Sequence, residues 1–256
     1  MIHGVCCGMA GIAAAAEAGL SYVEPALVQV RGYSDAQLDE MRETALAAGV
    51  AVAGFNCFFG GEIMLYETGP GVILEYAKRN FEVVKRLGGR YCVIGSGRSR
   101  SVPDGGDRSA AEDSFCETVS AIGRLAAEYG VDLYLEPLQR AETNFMNTLT
   151  DGVRLCRRIG MDNVGVLLDL YHFYQNGEEL SELDCLTPGE LRHVHIARPN
   201  ADRGYLRESD GETLSAWAAK LKETGYTGRI SLECTWGRDF AAEVKTAAGM
   251  LELFEK

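Results

Sequence analysis

Four short stretches of this chain end alike: Asp132–Pro137 reads DLYLEP, Val164–His172 VGVLLDLYH, His193–Ala197 HVHIA and Ile230–Cys234 ISLEC. Each is an apolar run of strand length that closes on an acidic or imidazole side chain, namely Glu136, Asp169, His195 and Glu233. Alternation along a strand sends side chains two apart to the same face. In ISLEC, Ile230 and Leu232 suit a helix-covered face, which leaves Ser231 and Glu233 on the other. In DLYLEP, Leu133 and Leu135 oppose Tyr134 and Glu136 in the same way. An ionised carboxylate at the end of such a run is costly unless it is paired or bound to a cation.

Working outward, similar runs occur at Ile2–Cys6, Tyr22–Glu24, Val50–Phe55 and Tyr91–Ile94, and Leu191–Ile196 completes the histidine strand. Between them lie segments of helical period: Ile12–Ala18, Asp35–Ala48, Val72–Leu87, Ala110–Tyr129, Thr148–Ile159, Thr213–Thr224 and Phe240–Phe254, with a weaker one at Glu178–Leu183. Ser34 is a helix N-cap signal, and Gly49, Gly88-Gly89 and Gly130 are stops. Strand and helix alternating over a whole chain imply a parallel sheet covered by helices. Eight such units in 256 residues predict an α/β fold closed as a (β/α)8 TIM barrel, one domain over residues 1–256. An open doubly wound sheet would call for a Gly-rich nucleotide loop after the first strand. CCGMAG at Cys6–Gly11 lacks the G-x-G-x-x-G spacing.

In a barrel of this kind the active site lies at the C-terminal rim of the strands. The four polar strand ends, on predicted strands five to eight, would therefore converge there. Any one of them alone is as well explained by a loop start or a helix cap. Four on consecutive strands read as a site. Three oxygen donors and one imidazole suit a divalent ion such as Mn²⁺, Co²⁺ or Mg²⁺ better than a structural zinc held by thiolates.

The motifs LEPLQRAETNFMNT, LLDLYHFY, HVHIARPNADRG and ISLEC resemble those of the xylose-isomerase-like sugar isomerase/epimerase barrels, and most of all the ketose 3-epimerases of tagatose, psicose and ribulose type. The resemblance is clear over the second half of the chain and is one of general architecture over the first. It implies one divalent metal on Glu136, Asp169, His195 and Glu233, with Mn²⁺ preferred. It also implies Glu136 and Glu233 as the acid/base pair that epimerises a ketose at C3 through an enediolate. Arg140 and Glu142 complete EPLQRAE, similar to the family's E-x-x-N-R-x-E, whose last glutamate contacts the sugar. His172 matches the family's substrate-binding histidine in D-x-x-H. The family's substrate arginine usually stands six residues after the histidine ligand. Position 201 here is Ala, so Arg198 and Arg203 are the candidates, with Arg203 preferred. That loop is similar to the broader family, so hydroxypyruvate isomerase and an inosose dehydratase/isomerase are the alternatives within the class. An apurinic-site endonuclease on the same barrel needs a histidine-rich zinc cluster, and this chain has four histidines.

The net charge of −12 argues against a polyanion partner, so a small sugar and no nucleic acid is expected. No run reaches the roughly 20 apolar residues that cross a bilayer, and the N-terminus lacks the pattern of an export signal. A cytoplasmic enzyme, with homo-oligomerisation to a dimer or tetramer allowed for, is the expectation. Eight scattered cysteines without a C-x-x-C read as core thiols. His193, two before His195, is expected to be a buried core histidine one layer deeper, and His3 core or rim. Gly95–Arg108, with three arginines, is read as a mobile polar loop rather than a phosphate cradle. Phe58-Phe59 and Trp236 are expected near the barrel mouth, and Cys57 beside it with no catalytic part.

Overall fold

The computed structural model describes residues 1–200 and 202–255, so Ala201 and Lys256 lie outside the described residues. The apolar runs form strands β1 (Ile2–Val5), β2 (Tyr22–Val23), β3 (Ala51–Val52), β4 (Gly54–Phe55), β5 (Tyr91–Ile94), β6 (Asp132–Leu135), β7 (Val164–Asp169), β8 (Leu191–Ile196) and β9 (Arg229–Leu232). Every pairing among them is parallel, in the order β3-β2-β1-β9-β8-β7-β6-β5-β4. The expected third strand, Val50–Phe55, is two pieces, β3 facing β2 and β4 facing β5. Ala53 joins them: its N–H donates to Val23 O (3.2 Å) and its carbonyl accepts from Arg90 N (2.8 Å). The sheet thereby closes on itself through one residue, and the expected barrel is what forms.

Helices cover the outside: α1 (Ile12–Glu17), α2 (Leu27–Val30), α3 (Asp35–Ala47), α4 (Pro70–Leu87), α5 (Gly97–Arg100), α6 (Arg108–Glu128), α7 (Leu149–Ile159), α8 (Leu170–Gln175), α9 (Gly211–Glu223) and α10 (Phe240–Met250). Their ends follow local chemistry. Ser34 and Gln37 form a capping box at the start of α3, and Thr148 and Asp151 do so for α7. Gly88 (φ 84°) closes α4 in the left-handed conformation that glycine adopts without steric cost. Three short helices, α2, α5 and α8, were not apparent from periodicity, since none exceeds six residues. The weak helix at Glu178–Leu183 is instead a 3₁₀ segment, Leu180–Cys185.

Strand alternation divides the core into two. Leu133, Leu135, Ile230 and Leu232 face the helices in the large outer core. Tyr22, Ala53, Tyr91, Val93, Tyr134 and Leu167 fill the barrel interior. The large tyrosine rings are accommodated by glycines on adjacent strands. A Cβ on Gly4 would lie 2.4 Å from the Tyr22 ring, and one on Gly54 would lie 2.2 Å from the Tyr91 ring.

Two expectations are corrected here. Phe58 and Phe59 do not wall the barrel mouth. They are buried beneath the β4–α4 connection, with Phe58 5.6 Å from Phe81 and Phe59 stacked 6.1 Å from Tyr76. Cys57 takes φ 49°, a sparsely populated conformation for a non-glycine residue. The turn there is fixed by Tyr76 and Asn80, both of which donate to Phe58 O. Nor is Gly95–Arg108 simply a polar loop. It contains α5, and Arg100, 1% exposed, donates to Ile94 O (2.9 Å) and Glu136 O (2.7 Å). Asn144 further pins Val102 through two hydrogen bonds. Trp236 lies where expected, half-buried three residues beyond Glu233, stacked on Tyr205 and edge-on to Phe240.

Gly54→Ala should cost about 1–3 kcal/mol by overpacking against a ring that cannot retreat. In urea titrations this would lower the midpoint at unchanged slope. Gly71→Ala, exposed in the first turn of α4 with nothing within 4 Å of the added Cβ, should instead stabilise by about 0.5–1 kcal/mol.

Candidate functional site

The four strand-end residues meet at the C-terminal mouth of the barrel. One ligand atom from each of Glu136, Asp169, His195 and Glu233 lies within 4.8 Å of the others. His195 Nδ1 is the hub, 3.2 Å from Glu136 Oε1 and 2.9 Å from Glu233 Oε2. Glu136 and Glu233 stand one residue past β6 and β9, the two outer strands of a four-strand arc, with Asp169 and His195 on β7 and β8 between them. Asp169 performs both roles that the sequence allows it. Its Oδ1 caps α8 by accepting from Tyr171 N (2.7 Å) and His172 N (3.4 Å), and its Oδ2 faces the site.

Arg203 reaches into this cluster. Its Nη2 donates to Asp169 Oδ2 and Glu233 Oε2, both at 2.5 Å, and its Nε to Glu233 O at 3.2 Å. The residue holds φ 50°, and its backbone is tied to the end of β9 because Thr235 N donates to Arg203 O (2.8 Å). Strain of this kind persists where the surroundings over-determine the geometry. Arg198, the other candidate, pairs instead with Asp210 (3.2 Å) and Asp202 (3.6 Å). His172 is 2% exposed and accepts Gln139 N–H on Nδ1 (3.3 Å), which leaves Nε2 as the protonated nitrogen, 3.7 Å from Asp169 Oδ2. Glu142 stands at the outer edge, 43% exposed, 3.9 Å from His172 and accepting from Gln139 Nε2 (2.8 Å).

Burial raises the Glu136 carboxyl above its ordinary range, and the hydrogen bond from His195 only partly offsets it. Burial acts on Glu233 too, but His195 and Arg203 outweigh it and hold that group well below the usual carboxylate range. Desolvation would neutralise His195. The surrounding Glu233 and Glu24 carboxylates instead push it well above its ordinary value. The site is thus rich in negative charge, with several carboxylates facing one guanidinium and one imidazole.

That donor set fits a divalent cation: hard oxygens and one nitrogen, converged and desolvated. The fit extends to the backbone, since a Cβ on Gly95 would fall 1.7 Å from Glu136 Oε2. A bare glycine leaves room for the carboxylate to turn inward. Cys6, Glu24 and His195 form a second group within 4.8 Å. Burial, with Glu24 and Glu233 beside it, pushes the Cys6 thiol well above its ordinary pKa.

Three residues of the site were not singled out in the sequence. Glu24, just past β2 and wholly buried, contacts His195 Nε2 through Oε1 (2.9 Å). Its signal was present: Tyr22–Pro25 reads YVEP, the same strand–Glu–Pro ending as YLEP at Tyr134–Pro137. Asn56, two residues past the inward-facing Gly54, donates from Nδ2 to Glu233 Oε1 (2.9 Å). Arg100 braces the ends of β5 and β6, and burial lowers its guanidinium to about 10. Nothing in the local sequence separates it from Arg98 and Arg108. His193 is the buried core histidine expected, and His3 lies away from the site, beside Glu255 (3.2 Å).

Residues 12–254 match the model of the xylose isomerase-like TIM barrel family. The chain belongs to that family. Among curated proteins, this xylose isomerase-like barrel is 28% identical to the L-ribulose 3-epimerase of Methylomonas sp. (strain DH-1), over 87% of this chain and 76% of that protein. It is 26% identical to a putative hydroxypyruvate isomerase of Streptomyces coelicolor, over 90% of this chain and 86% of that protein. The crystal structure of D-psicose 3-epimerase in the presence of D-fructose superposes with a TM-score of 0.81 at 19% identity, covering 98% of this chain and 97% of that one. The chain is an enzyme of the sugar isomerase/epimerase type. Among the described residues no helix is long and apolar enough to cross a membrane.

A metal that binds only the folded chain stabilises it by about 2.7 kcal/mol at 100 times its Kd. For a chain of this size that amounts to roughly 5–10 °C in Tm. Differential scanning fluorimetry of metal-free protein with Mn²⁺ should show a shift of this order. Asp169→Asn should require at least tenfold more Mn²⁺ for the same shift.

Proposed function

We propose that the chain epimerises a ketose at C3, with one divalent ion, Mn²⁺ ahead of Co²⁺ or Mg²⁺, held by Glu136, Asp169, His195 and Glu233. The observation that carries this reading is the meeting of two glutamates, from the two ends of a four-strand arc, at one imidazole nitrogen. When bound, the ion supplies Lewis acidity, lowering the cost of the negative charge that grows on the sugar oxygens as carbon loses its proton.

The chain's own groups do the rest. Glu136 and Glu233 form the acid/base pair: one removes the C3 proton to give an enediolate, and the other returns a proton on the opposite face, inverting the centre. His172 offers Nε2–H to a substrate oxygen, since its Nδ1 is already engaged by the Gln139 amide. Arg203 shares the developing charge from a guanidinium that its backbone fixes in place. Glu142, partly exposed and steadied by Gln139, takes a terminal hydroxyl of the sugar. The ketose 3-epimerases among the relatives support this substrate class.

A second reading, isomerisation in the manner of hydroxypyruvate isomerase, is favoured by the relative that shares 86% of its length with this chain. It differs in which carbon gives up the proton. The test strips the metal, restores Mn²⁺ and incubates the enzyme with a panel of ketoses in D₂O. Metal-dependent deuterium at C3 with inversion is expected. Exchange at C1 alone selects the second reading, and cleavage of abasic DNA without any sugar exchange overturns both. Glu136→Gln and Glu233→Gln should each lower kcat by roughly 10²–10⁴-fold. Arg203→Ala should cost about 10²-fold in kcat/KM, as a displaced positioning group does, while Arg198→Ala should stay near wild type.

A further inference from the structure

Below the metal-ligand cluster the barrel interior holds a polar network that no step of the proposed reaction uses. Its centre is Glu24, 0% exposed. An ionised carboxylate can only accept, so its neighbours must donate. His195 Nε2 donates to Oε1 (2.9 Å). His193 Nε2 (2.9 Å), Tyr91 Oη (2.9 Å) and Ser231 Oγ (2.8 Å) donate to Oε2. Ser231 in turn accepts from Tyr22 Oη at 2.9 Å. Among the described residues His193 Nδ1 has no partner, as befits a neutral ring whose single N–H is committed to Glu24. The backbone of Glu24 is held as well, its N–H donating to Val5 O (2.9 Å).

Burying a carboxylate in a barrel core costs several kcal/mol unless its donors are supplied in full, and here four side chains from three other strands supply them. Such a group does not help the barrel fold better than an apolar residue would. What it does control is His195. An imidazole in the neutral form has one N–H and one lone pair. With Nε2–H committed to Glu24, the proton that His195 gives up on becoming a neutral metal ligand is the one on Nδ1, so the lone pair appears at the atom that faces Glu136 and Glu233.

We propose that Glu24 is the positioning residue that sets the tautomer and ring orientation of His195, so that Nδ1 is presented to the divalent ion. The proposal rests on the reading of the tetrad as a metal site. Outer partners of this kind change metal affinity by about 10–100-fold when removed. The clamp is geometric: Oε2 is immobilised by three donors, which aims Oε1 at a single ring nitrogen.

The experiment is calorimetric titration of metal-free protein with Mn²⁺, for wild type, Glu24→Gln and Glu24→Asp. Wild type is expected to bind one ion. Both variants should show a Kd higher by at least tenfold at the same stoichiometry, Glu24→Asp because it keeps the charge but retracts the carboxylate from His195. A folded variant of either kind with wild-type Kd overturns the role of Glu24. Failure of wild type to bind Mn²⁺ overturns the metal reading instead, so the two failures are told apart. Should Glu24→Gln not fold, Glu24→Asp alone decides. A second readout separates positioning from general support. In Mg²⁺-loaded wild type, ¹⁵N shifts of His195 should report protonated Nε2 and unprotonated Nδ1, and Glu24→Asp should lose that signature. An unchanged signature would count against the proposal.

Discussion

A carboxylate inside a parallel barrel must find enough donors within reach of its own short side chain, and the arrangement around Glu24 shows how much of the interior that constrains. Tyr91, Ser231, His193 and His195 all turn toward it. Tyr91 can occupy its place only because Gly54 has no side chain, and Tyr22, which reaches Ser231, only because of Gly4. The glycines, the tyrosines and the glutamate are thus one solution to one problem. The polar residues of the mouth are built on top of it.

From that floor upward the structure is a graded exchange of partners. His195 touches Glu24 through one nitrogen and the outer carboxylates through the other. Asp169 spends one oxygen on the α8 N-terminus and the other on the site, which is how a helix cap and a candidate metal ligand coexist in one side chain. Arg203 is the main cation facing this excess of negative charge, and its strained backbone is pinned by Thr235, three residues past β9. Groups of opposite tendency end up side by side. Burial raises the Glu136 carboxyl above its ordinary range, while His195 and Arg203 hold Glu233 below it.

The supports outside the barrel serve the same end. Arg100 is buried to bind two strand-end carbonyls, one of them that of Glu136 itself. Asn56 reaches across the mouth from the interrupted third strand to Glu233. Gln139 steadies both His172 and Glu142. These contacts make the loops above the strands an ordered frame. A sequence of glycines, serines and arginines such as Gly95–Arg108 hides this, because its order comes from partners 36 to 42 residues away.

The sequence by itself determined the alternation of strand and helix, the closed barrel and the four polar strand ends. Those properties follow from periods of two and 3.6 residues and from the cost of placing charge on an apolar strand. It also carried the family motifs, with Glu142 and His172 among them. Tertiary structure brought the preferred Arg203 inward, to Asp169 and Glu233, which lie 34 and 30 residues away, while Arg198 pairs with the nearby Asp202 and Asp210. It decided that Phe58 and Phe59 enter the core, because one left-handed residue, Cys57, redirects the chain. And it decided the importance of Glu24. Its strand–Glu–Pro ending was legible, but its four donors come from three other strands, and only closing the barrel brings them to one point.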